Sequence, residues 1–410
     1  MKVLIVDPLF TANGGGQLIS YNTYKLLKEN SIDAYYWAMD KKPYFEEDYE
    51  YQSYFTKYYG GGKDYIKNPI KYYYNKQAQK DLSKFLNVIK PDLIHINGLF
   101  GITPSILKVC KPAKIVVTLH GTAIVCPAGT LARNNKNVCC NEQYCRNGKF
   151  YNCILHNCTG NIEANIRGVI RSYTYQNSIK YVDYFITPTE KFKQTVLLMT
   201  DKIEPSKIKT INNFLPKSEL NNKPVYTNQG YFLCVGRLVK EKGFQYILKA
   251  FADLPRDIKL HIVGSGNYEK FLKKYAKKNN LYNVTFMGQL SREELKKEYE
   301  GAIASSSSSS FYETFGLTNI EAFSHGKPVI VSNRGGLAET CEHNVNGFLV
   351  EPMDTEQLKE CILKYWNNPK LAIEHGENGY KKVINKYCEE KYIKEILNLY
   401  NNVLKGANKL

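Results

Sequence analysis

Short runs of consecutive apolar residues recur along the whole chain, and most of them end at a glycine, a histidine or another turn residue. Runs of this kind are typical of strands in parallel sheets that are covered on both faces. Amphipathic segments with helical spacing lie between them, and this alternation predicts an α/β fold with parallel sheets. The runs occupy residues 91–96, 114–119, 181–186, 231–235, 260–263 and 284–287, and the chain opens with Val3-Leu4-Ile5-Val6.

The chain has 410 residues, more than one hydrophobic core usually fills, so we expect two domains. A polar stretch without apolar periodicity, residues 216–229, is the predicted linker. The predicted domains are therefore an N-terminal Rossmann-like domain over 1–215 and a C-terminal domain over 230–385. A Cys-rich insertion falls at 126–158 within the first domain, and a final helix falls at 386–410.

One stretch, residues 304–340, combines two carboxylates with a helix start between them. Glu313 precedes the helix, and Glu321 lies eight positions later in its second turn. The amides at the helix start, of Gly316, Leu317 and Thr318, suit a phosphate because a helix N-terminus offers unpaired N–H groups and a positive dipole end. Carboxylates accept hydroxyls. Together they predict a site for a ligand with central phosphates and polyols at both ends, such as a nucleoside diphosphate sugar.

A set of motifs in and around this stretch resembles retaining glycosyltransferases of the two-Rossmann GT-B fold, family 4 type, also called glycosyl transferases group 1. The similarity covers most of residues 230–355 in the family's order. It rests on Glu313-x7-Glu321, His325 to Ile330, Gly335-Gly336-x-x-Glu339, Val235-Gly236-Arg237, Lys242-Gly243, Val263-Gly264-Ser265-Gly266 and Asn346 to Val350.

The resemblance implies two doubly wound α/β domains that face each other across a cleft, with a nucleoside diphosphate sugar held mainly by the second domain and a hydroxyl acceptor by the first. It implies transfer of the sugar with retained anomeric configuration to a glycan or lipid-linked acceptor. Arg237 and Lys242 would bind the diphosphate and stabilise charge on the leaving group. Glu321 would hold the ribose hydroxyls, and Glu313 those of the transferred sugar. Glycines Gly236 and Gly264 would let the backbone approach the nucleotide.

The first domain carries two weaker elements of the same resemblance. Gly15 and Gly16 follow the first strand and would lie beside the sugar donor's phosphate or beside the acceptor. His120 ends a later strand, where parallel sheets place ligands, and by resemblance it contacts the donor sugar near the reacting carbon. Relatives often have an acidic residue where this chain has Gln17, and an Asp where it has Gly121. These departures support an alternative: a catalytically inactive homologue that binds nucleotide sugars or acts as a scaffold.

No cofactor is expected to be required for catalysis. The resemblance implies that the leaving phosphate accepts the acceptor's proton, so neither a protein base nor a catalytic metal is implied. Gly264-x-Gly266 lacks the third glycine of the nicotinamide fingerprint, which argues against a dehydrogenase. Glu313 and Glu321 form a glycosidase-like pair by residue type, but the neighbouring cations favour hydroxyl binding over acid and base roles.

Six of the eleven cysteines fall within residues 126–158, an unusual density for a protein of a reducing compartment. Three interpretations are open: a structural zinc site that uses about four of these side chains, disulfides, or free thiols. The six are Cys126, Cys139, Cys140, Cys145, Cys153 and Cys158.

The net charge of +17 is concentrated in the first half, where residues 1–220 contain 29 Lys and Arg against 18 Asp and Glu. Peripheral contact with an anionic membrane and simple solvation both explain the excess positive charge. No motif in the sequence supports nucleic-acid binding as a third explanation. Tyr and Lys crowd residues 44–80, which fits either acceptor or membrane contact or half-buried packing. No apolar run is long enough to span a bilayer, and the N-terminus lacks a signal peptide pattern. We therefore expect a cytoplasmic protein, with the inner face of the membrane as the site of any peripheral contact.

The serine run Ser305–Ser310 occupies a position where relatives have an apolar strand. Because serine favours neither burial nor β-structure, the sequence leaves a strand there in doubt, and serine hydroxyls near Glu313 could contact phosphate or ribose instead.

Overall fold

The computed structural model describes residues 1–8, 15–38, 73–99, 102–133, 138–139, 142–220, 224 and 230–406. The chain forms two compact units. The first contains most of the described residues up to Phe214 and, in addition, the last helix from Glu389. The second runs from Leu215 to Cys388 and also includes the short strand Val138–Cys139.

The first unit is built on a six-stranded parallel sheet with the order β2-β1-β3-β4-β7-β8. In its register Val3 lies opposite both Ala34 and Leu93, so the first strand is central. The strands are apolar and largely buried because helices cover the sheet. They are β1 Lys2–Asp7, β2 Asp33–Ala38, β3 Leu93–Ile96, β4 Lys114–Thr118, β7 Tyr184–Thr187 and β8 Ile208–Thr210, while the short β5 Ala132–Arg133 and β6 Val138–Cys139 lie outside this sheet.

The helices of the first unit bury amphipathic faces and begin at polar capping residues. For example, the Asn161 side chain accepts a hydrogen bond from the Ala164 amide at the start of one helix, and Thr189 caps another through Phe192. The described helices are Gly15–Glu29, Lys76–Ile89, Asn152–Leu155, Ile162–Ser178, Glu190–Met199 and Glu389–Lys405, with 3-10 turns at Pro104–Lys108, Thr122–Ile124, Glu142–Gly148, Ile179–Tyr181 and Pro205–Lys207.

The second unit is built on another six-stranded parallel sheet, with the order β11-β10-β9-β12-β13-β14. The chain starts in the middle, at β9, builds outward to one side, and then returns to build from β12 to the other side. Ligands of such sheets bind where the order reverses, here at the carboxyl ends of β9 and β12. The strands are β9 Tyr231–Val235, β10 Lys259–Val263, β11 Val284–Gly288, β12 Ala302–Ser307, β13 Val329–Ser332 and β14 Gly347–Val350.

Both faces of this second sheet are buried against helices. Along β9, Phe232 and Cys234 belong to one apolar core, and Tyr231 and Leu233 belong to another. The period of two along the strand sends alternate side chains to opposite faces, so the strand is double-sided, as its continuous apolar run predicts. The covering helices are Lys217–Leu220, Phe244–Ala252, Glu269–Lys278, Arg292–Gly301, Leu317–Ser324, Leu337–Thr340, Thr355–Asn367 and Pro369–Lys386, with a 3-10 turn at Lys240–Lys242.

The serine run forms part of a strand, which the sequence left in doubt. Ser305, Ser306 and Ser307 complete β12, which pairs with β9 and β13 in the middle of the sheet. Ser306 is 4% exposed, and its hydroxyl donates to the carbonyl of Ile330 at 3.1 Å. A strand of small polar residues is tolerated here because the backbone is paired on both sides and the hydroxyls find acceptors.

The last helix packs against the first unit, to which it belongs. The hydroxyls of Tyr392 and Thr23 lie 2.7 Å apart, and the Tyr392 ring packs on Phe214 with centroids 4.3 Å apart. Further along the helix, the Tyr400 hydroxyl lies 2.6 Å from Nδ1 of His95 in β3. The first unit is thus built from two separate segments of the chain.

The predicted fold class, two doubly wound α/β domains, is confirmed by the two sheets. The predicted linker over 216–229 begins with the helix Lys217–Leu220, and most of its remainder lies outside the described residues. The Tyr-rich segment also lies largely outside them, as do Gly14 and Cys140. Within the described part of the chain, no helix is both long and apolar enough to cross a bilayer.

Candidate active site

Two glycine turns meet at the point where the second sheet reverses its order. Gly236 follows β9 and Gly264 follows β10, with φ angles of 156° and 129°. A Cβ at Gly264 would lie 1.9 Å from the Gly236 carbonyl oxygen, and one at Gly266 would lie 2.3 Å from that of Leu238. Only glycine permits these backbones to come so close, so the glycines that the sequence singled out have a packing reason as well as a proposed ligand role.

Lys242 and Glu313 form an ion pair at this sheet edge, with Nζ and Oε1 2.5 Å apart. Both side chains are largely buried, at 22% and 14% exposure. The Ser309 hydroxyl donates to the same Oε1 at 2.8 Å. Oε2 of Glu313 accepts no hydrogen bond from the described residues, so this oxygen is available to a ligand hydroxyl.

The serine loop after β12 fixes the turn that carries Lys242. The Ser308 hydroxyl donates to the Gly243 carbonyl at 2.7 Å, and the Ser310 amide donates to that of Glu241 at 2.9 Å. Gly243 has φ +77°, and a Cβ there would lie 1.8 Å from the Ser308 carbonyl oxygen. The serines therefore join two loops that are about 65 residues apart in sequence, and this join brings Lys242 to Glu313.

A second glycine pair supports the loop that carries Glu313. The Gly336 amide donates to the Glu313 carbonyl at 2.7 Å. A Cβ at Gly336 would lie 2.4 Å from the Cα of Phe315, and one at Gly335 would lie 2.4 Å from the Glu313 carbonyl oxygen. The Gly-Gly motif thus holds the Glu313 backbone by direct contact.

The helix Leu317–Ser324 begins directly after this loop. Gly316 adopts a left-handed conformation at its N-terminus, with φ 100°. Leu317 and Thr318 are the first residues of the helix, so their amides have no partner within it. This arrangement can accept an anion, as the sequence predicts.

Glu321 lies on the second turn of that helix, half-buried, and the Tyr299 hydroxyl donates to its Oε2 at 3.1 Å. Burial and, secondarily, the nearby Glu219 carboxylate raise the pKa of Glu321 to about 7, against the opposing effects of the Tyr299 hydrogen bond, Arg292 and Lys242. Glu321 therefore changes its charge near neutral pH.

Arg237 follows Gly236 and is exposed. It forms no ion pair with any residue in the described part of the chain. Arg237 is thus placed at the carboxyl end of β9 with its guanidinium available, on the same sheet edge as Lys242.

His120 lies in the first unit, directly after β4. Its Nε2 is 3.2 Å from Oδ1 of Asn97, which follows the neighbouring strand β3, and this contact assigns the N–H to Nε2. Burial lowers the pKa of His120 to about 4, so the imidazole is neutral at physiological pH. His95 lies nearby, with Nε2 2.7 Å from the hydroxyl of Thr118, and burial lowers its pKa to about 3.

Gly15 and Gly16 open the helix that follows β1, and Gly16 lies against His120. A Cβ at Gly16 would be 3.1 Å from Cγ of the imidazole. Gly121 is different: a Cβ there would meet nothing within 4 Å.

The predicted site residues therefore fall into two groups. Lys242, Glu313 and Glu321 gather in the second unit, together with Gly236, Gly264, Gly316 and Arg237 along one sheet edge. His120, Gly15 and Gly16 gather in the first unit. Sequence reasoning missed three side chains that hold these groups in place, namely Ser309, Tyr299 and Asn97. The signal for Asn97 was its position at a strand end, like that of His120, whereas Tyr299 gave no sequence signal.

The cysteines do not form a metal centre among the described residues. No group of three or more His, Cys, Asp or Glu side chains in that part of the chain has a geometry that could hold a metal ion. Cys126, Cys145, Cys153 and Cys158 are buried and form no disulfide with one another. The Cys153 thiol donates to Oδ1 of Asn165 at 3.4 Å, and the proximity of Cys153, aided by Arg133, lowers the pKa of the Cys158 thiol. Cys140 and the side chain of Cys139 lie outside the described residues.

Comparison with solved structures supports the fold over nearly the whole chain. Sucrose-phosphate synthase from Thermosynechococcus elongatus matches with a TM-score of 0.77 and 19% identity, covering 99% of this chain and 100% of that one. Anabaena HepE in complex with UDP matches with a TM-score of 0.71 and 17% identity, covering 98% and 100%. The predicted GT-B fold class is confirmed by these matches.

Sequence comparison finds similarity to glycosyltransferases mainly in the second unit. An uncharacterized glycosyltransferase of Methanocaldococcus jannaschii is 32% identical over 182 residues, which cover 43% of this chain and 46% of the relative. The chain thus spans about half the length of this curated relative. The family model described as Glycosyl transferases group 1 matches residues 217–382. Residues 217–382 of this chain are therefore a Glycosyl transferases group 1 domain.

Proposed function

We propose that the protein transfers a sugar from a nucleoside diphosphate sugar to a hydroxyl of a glycan or lipid-linked acceptor, with retention of the anomeric configuration. The observation that carries the proposal is the Lys242–Glu313 pair, held at the strand-order reversal beside Gly236, Gly264 and the helix start at Gly316. A cation, free amides and carboxylates are thereby placed together where parallel sheets bind nucleotides. The UDP in the Anabaena HepE structure supports the same class of sugar donor.

Lys242 serves the diphosphate in this proposal without leaving Glu313. An ammonium group has three N–H donors, and Glu313 with its single close oxygen uses one of them. The remaining donors face the phosphates, and their attraction grows as negative charge develops on the leaving group. Arg237, which no described residue pairs, supplies a second cation from the same edge.

The carboxylates take the hydroxyls of the donor. Oε2 of Glu313 accepts from the transferred sugar, and ionised Glu321 accepts from the ribose. His120, neutral at physiological pH, contacts the sugar near the reacting carbon; this role rests on the family resemblance.

The first experiment measures thermal unfolding with UDP, GDP, ADP and their sugars. A ligand at 100 times its Kd adds roughly 2.7 kcal/mol to the free energy of unfolding. We expect one base to stabilise selectively, and Lys242→Ala to remove most of that stabilisation. Lys274→Ala, which removes an exposed lysine of the same unit, is the matched control. Folded protein that responds to none of these nucleotides would contradict the proposal.

Product analysis separates the enzyme from its alternative, an inactive nucleotide-sugar-binding or scaffolding homologue. The inactive homologue is supported if the protein binds the nucleotide but neither transfers the sugar nor slowly hydrolyses the sugar donor. Inverted products would keep glycosyl transfer and contradict retention.

Two further proposals concern partners. Contact with an anionic membrane surface, at the inner face of the membrane, fits the basic first half of the sequence and is tested by sedimentation with vesicles of neutral and of anionic lipids. A structural zinc ion would need Cys139 and Cys140, because the described cysteines do not supply a ligand set. Absence of zinc from gently purified protein would exclude it.

A further inference from the structure

The first unit contains an apolar cavity of about 200 Å³ next to His120. It lies at the carboxyl ends of β3 and β4 and reaches the helix Ile162–Ser178. Its walls are almost entirely hydrocarbon, and His120, Gly121 and Asn97 form one end. The apolar wall used in the argument consists of Leu107, Val117, Leu119, Ile124, Val182 and Phe185.

Such a space is not ordinary packing. Protein interiors are close-packed and hold few voids larger than a water molecule. A cavity of about 150 Å³ lined by hydrocarbon side chains stays dry and admits benzene. The cavity beside His120 is larger than that, so it has room for roughly six to eight carbon atoms.

Two polar groups on the cavity wall lack partners. Nδ2 of Asn97 and Nε of Arg171 are buried, and neither finds a hydrogen-bond acceptor among the described residues. Asn97 itself is 3% exposed, and its Oδ1 is already used by His120. Both atoms lie behind the cavity surface, so their lack of an acceptor destabilises the wall but does not by itself mark a ligand contact. An apolar pocket with a few convergent polar groups is the usual form of a small-molecule site.

We propose that this cavity binds the apolar chain of the acceptor, an alkyl or isoprenyl group joined through oxygen to the sugar that carries the reacting hydroxyl. The inference rests on the proposed function, which places His120 beside the reacting carbon. The chain lies against the hydrocarbon walls. A nucleotide base does not suit the cavity, because its polar edge would lose hydrogen bonds to water against apolar walls.

The test is direct binding of methyl, propyl, butyl and hexyl β-D-glucopyranoside to the full chain, measured by calorimetry. We expect affinity to rise by roughly threefold for each methylene up to hexyl, as the cavity fills. Equal affinity for the methyl and hexyl compounds, or no binding of either, would overturn the assignment.

Variants locate the binding. Ala123→Phe places a ring in the cavity and is expected to weaken hexyl glucoside binding at least tenfold. Ile166→Phe, on the exposed face of the neighbouring helix, is the matched control and is expected to change nothing. Val182→Phe fills the cavity from another side if Ala123→Phe fails to fold. Unchanged binding in a folded cavity-filling variant would also overturn the assignment.

Nucleotide stabilisation of the same proteins keeps the two proposals distinguishable. Nucleotide binding without preference for the hexyl compound overturns the cavity assignment and leaves sugar transfer standing. Preference for the hexyl compound without nucleotide binding supports the cavity as an apolar-chain site and contradicts the proposed function.

Discussion

In the second unit the carboxyl ends of β9 and β12 present Lys242, Glu313 and Arg237, whereas in the first unit those of β3 and β4 present Asn97 and a neutral His120. Both edges come from parallel sheets with a similar winding, so topology does not set their chemistry. The charged edge suits phosphates. The neutral edge, with its apolar cavity, suits a substrate that must be held without ion pairing. The same architecture thus provides a charged environment for one ligand and a neutral, apolar environment for the other.

The largest expected effect on the charged edge comes from removing the cation of Lys242. Lys242→Ala should lower turnover roughly 100-fold or more, because a charge-assisted interaction that strengthens in the transition state is lost. Transfer rates under saturating sugar donor measure this, with Lys274→Ala as the control for a lost positive charge. A rate within a few fold of the unmodified protein would show that Lys242 does not stabilise the leaving group.

The next test compares glycines at the two edges. Gly264→Ala should destabilise the protein by about 2 kcal/mol or more, since its Cβ would fall 1.9 Å from a backbone oxygen at a positive φ. Gly121→Ala meets nothing within 4 Å and should change stability by less than about 0.5 kcal/mol. Urea unfolding of both variants provides the comparison. Equal losses would mean that the two edges are packed alike.

The two sheet edges should also differ in how ligand binding depends on pH. Because the pKa of Glu321 is raised to about 7, its ionised fraction, and with it affinity for the sugar donor, should fall roughly tenfold as pH drops from 8 to 6. Glu321→Gln should remove that dependence. Any pH dependence of binding that the variant retains reports the titration of the ligand instead. The pKa of His120 is lowered to about 4, so it adds no pH dependence in this range. A pH-independent Kd in the unmodified protein would argue against ionised Glu321 as the ribose contact.

The smallest effect is expected at the neutral edge. Gly16→Ala should slow transfer several-fold while leaving nucleotide stabilisation unchanged, because a Cβ 3.1 Å from the imidazole shifts His120 by a few tenths of an ångström. The reverse pattern, weaker nucleotide binding at a normal rate, would place Gly16 beside the phosphate instead.

How far the sequence could predict this structure differs between features. Continuous apolar runs predicted both sheets, because burial on two faces leaves a direct mark on composition. The serine strand could not be predicted, because its stability comes from pairing with β9 and β13 and from hydroxyl contacts such as that of Ser306, which only the folded chain supplies.

The site residues also divide into those that the sequence could predict and those that it could not. Glu313, Glu321 and Lys242 were found because their motifs are local, and their roles remain predictions. The partners Tyr299 and Asn97 approach from distant segments, and the cavity is a space between elements rather than a property of any residue. Spacing along one chain does not reveal either.

The last helix also bears on the order in which the protein can be completed. Tyr392 and Tyr400 contact Thr23 and His95 in the first unit, although the entire second unit lies between them in the chain. During synthesis, domains form as their residues leave the ribosome. The first unit must therefore wait, with its Thr23 and His95 contacts unmade, until the second unit has emerged. A released chain that ends at residue 388 would contain the whole second unit but would lack the helix that completes the first.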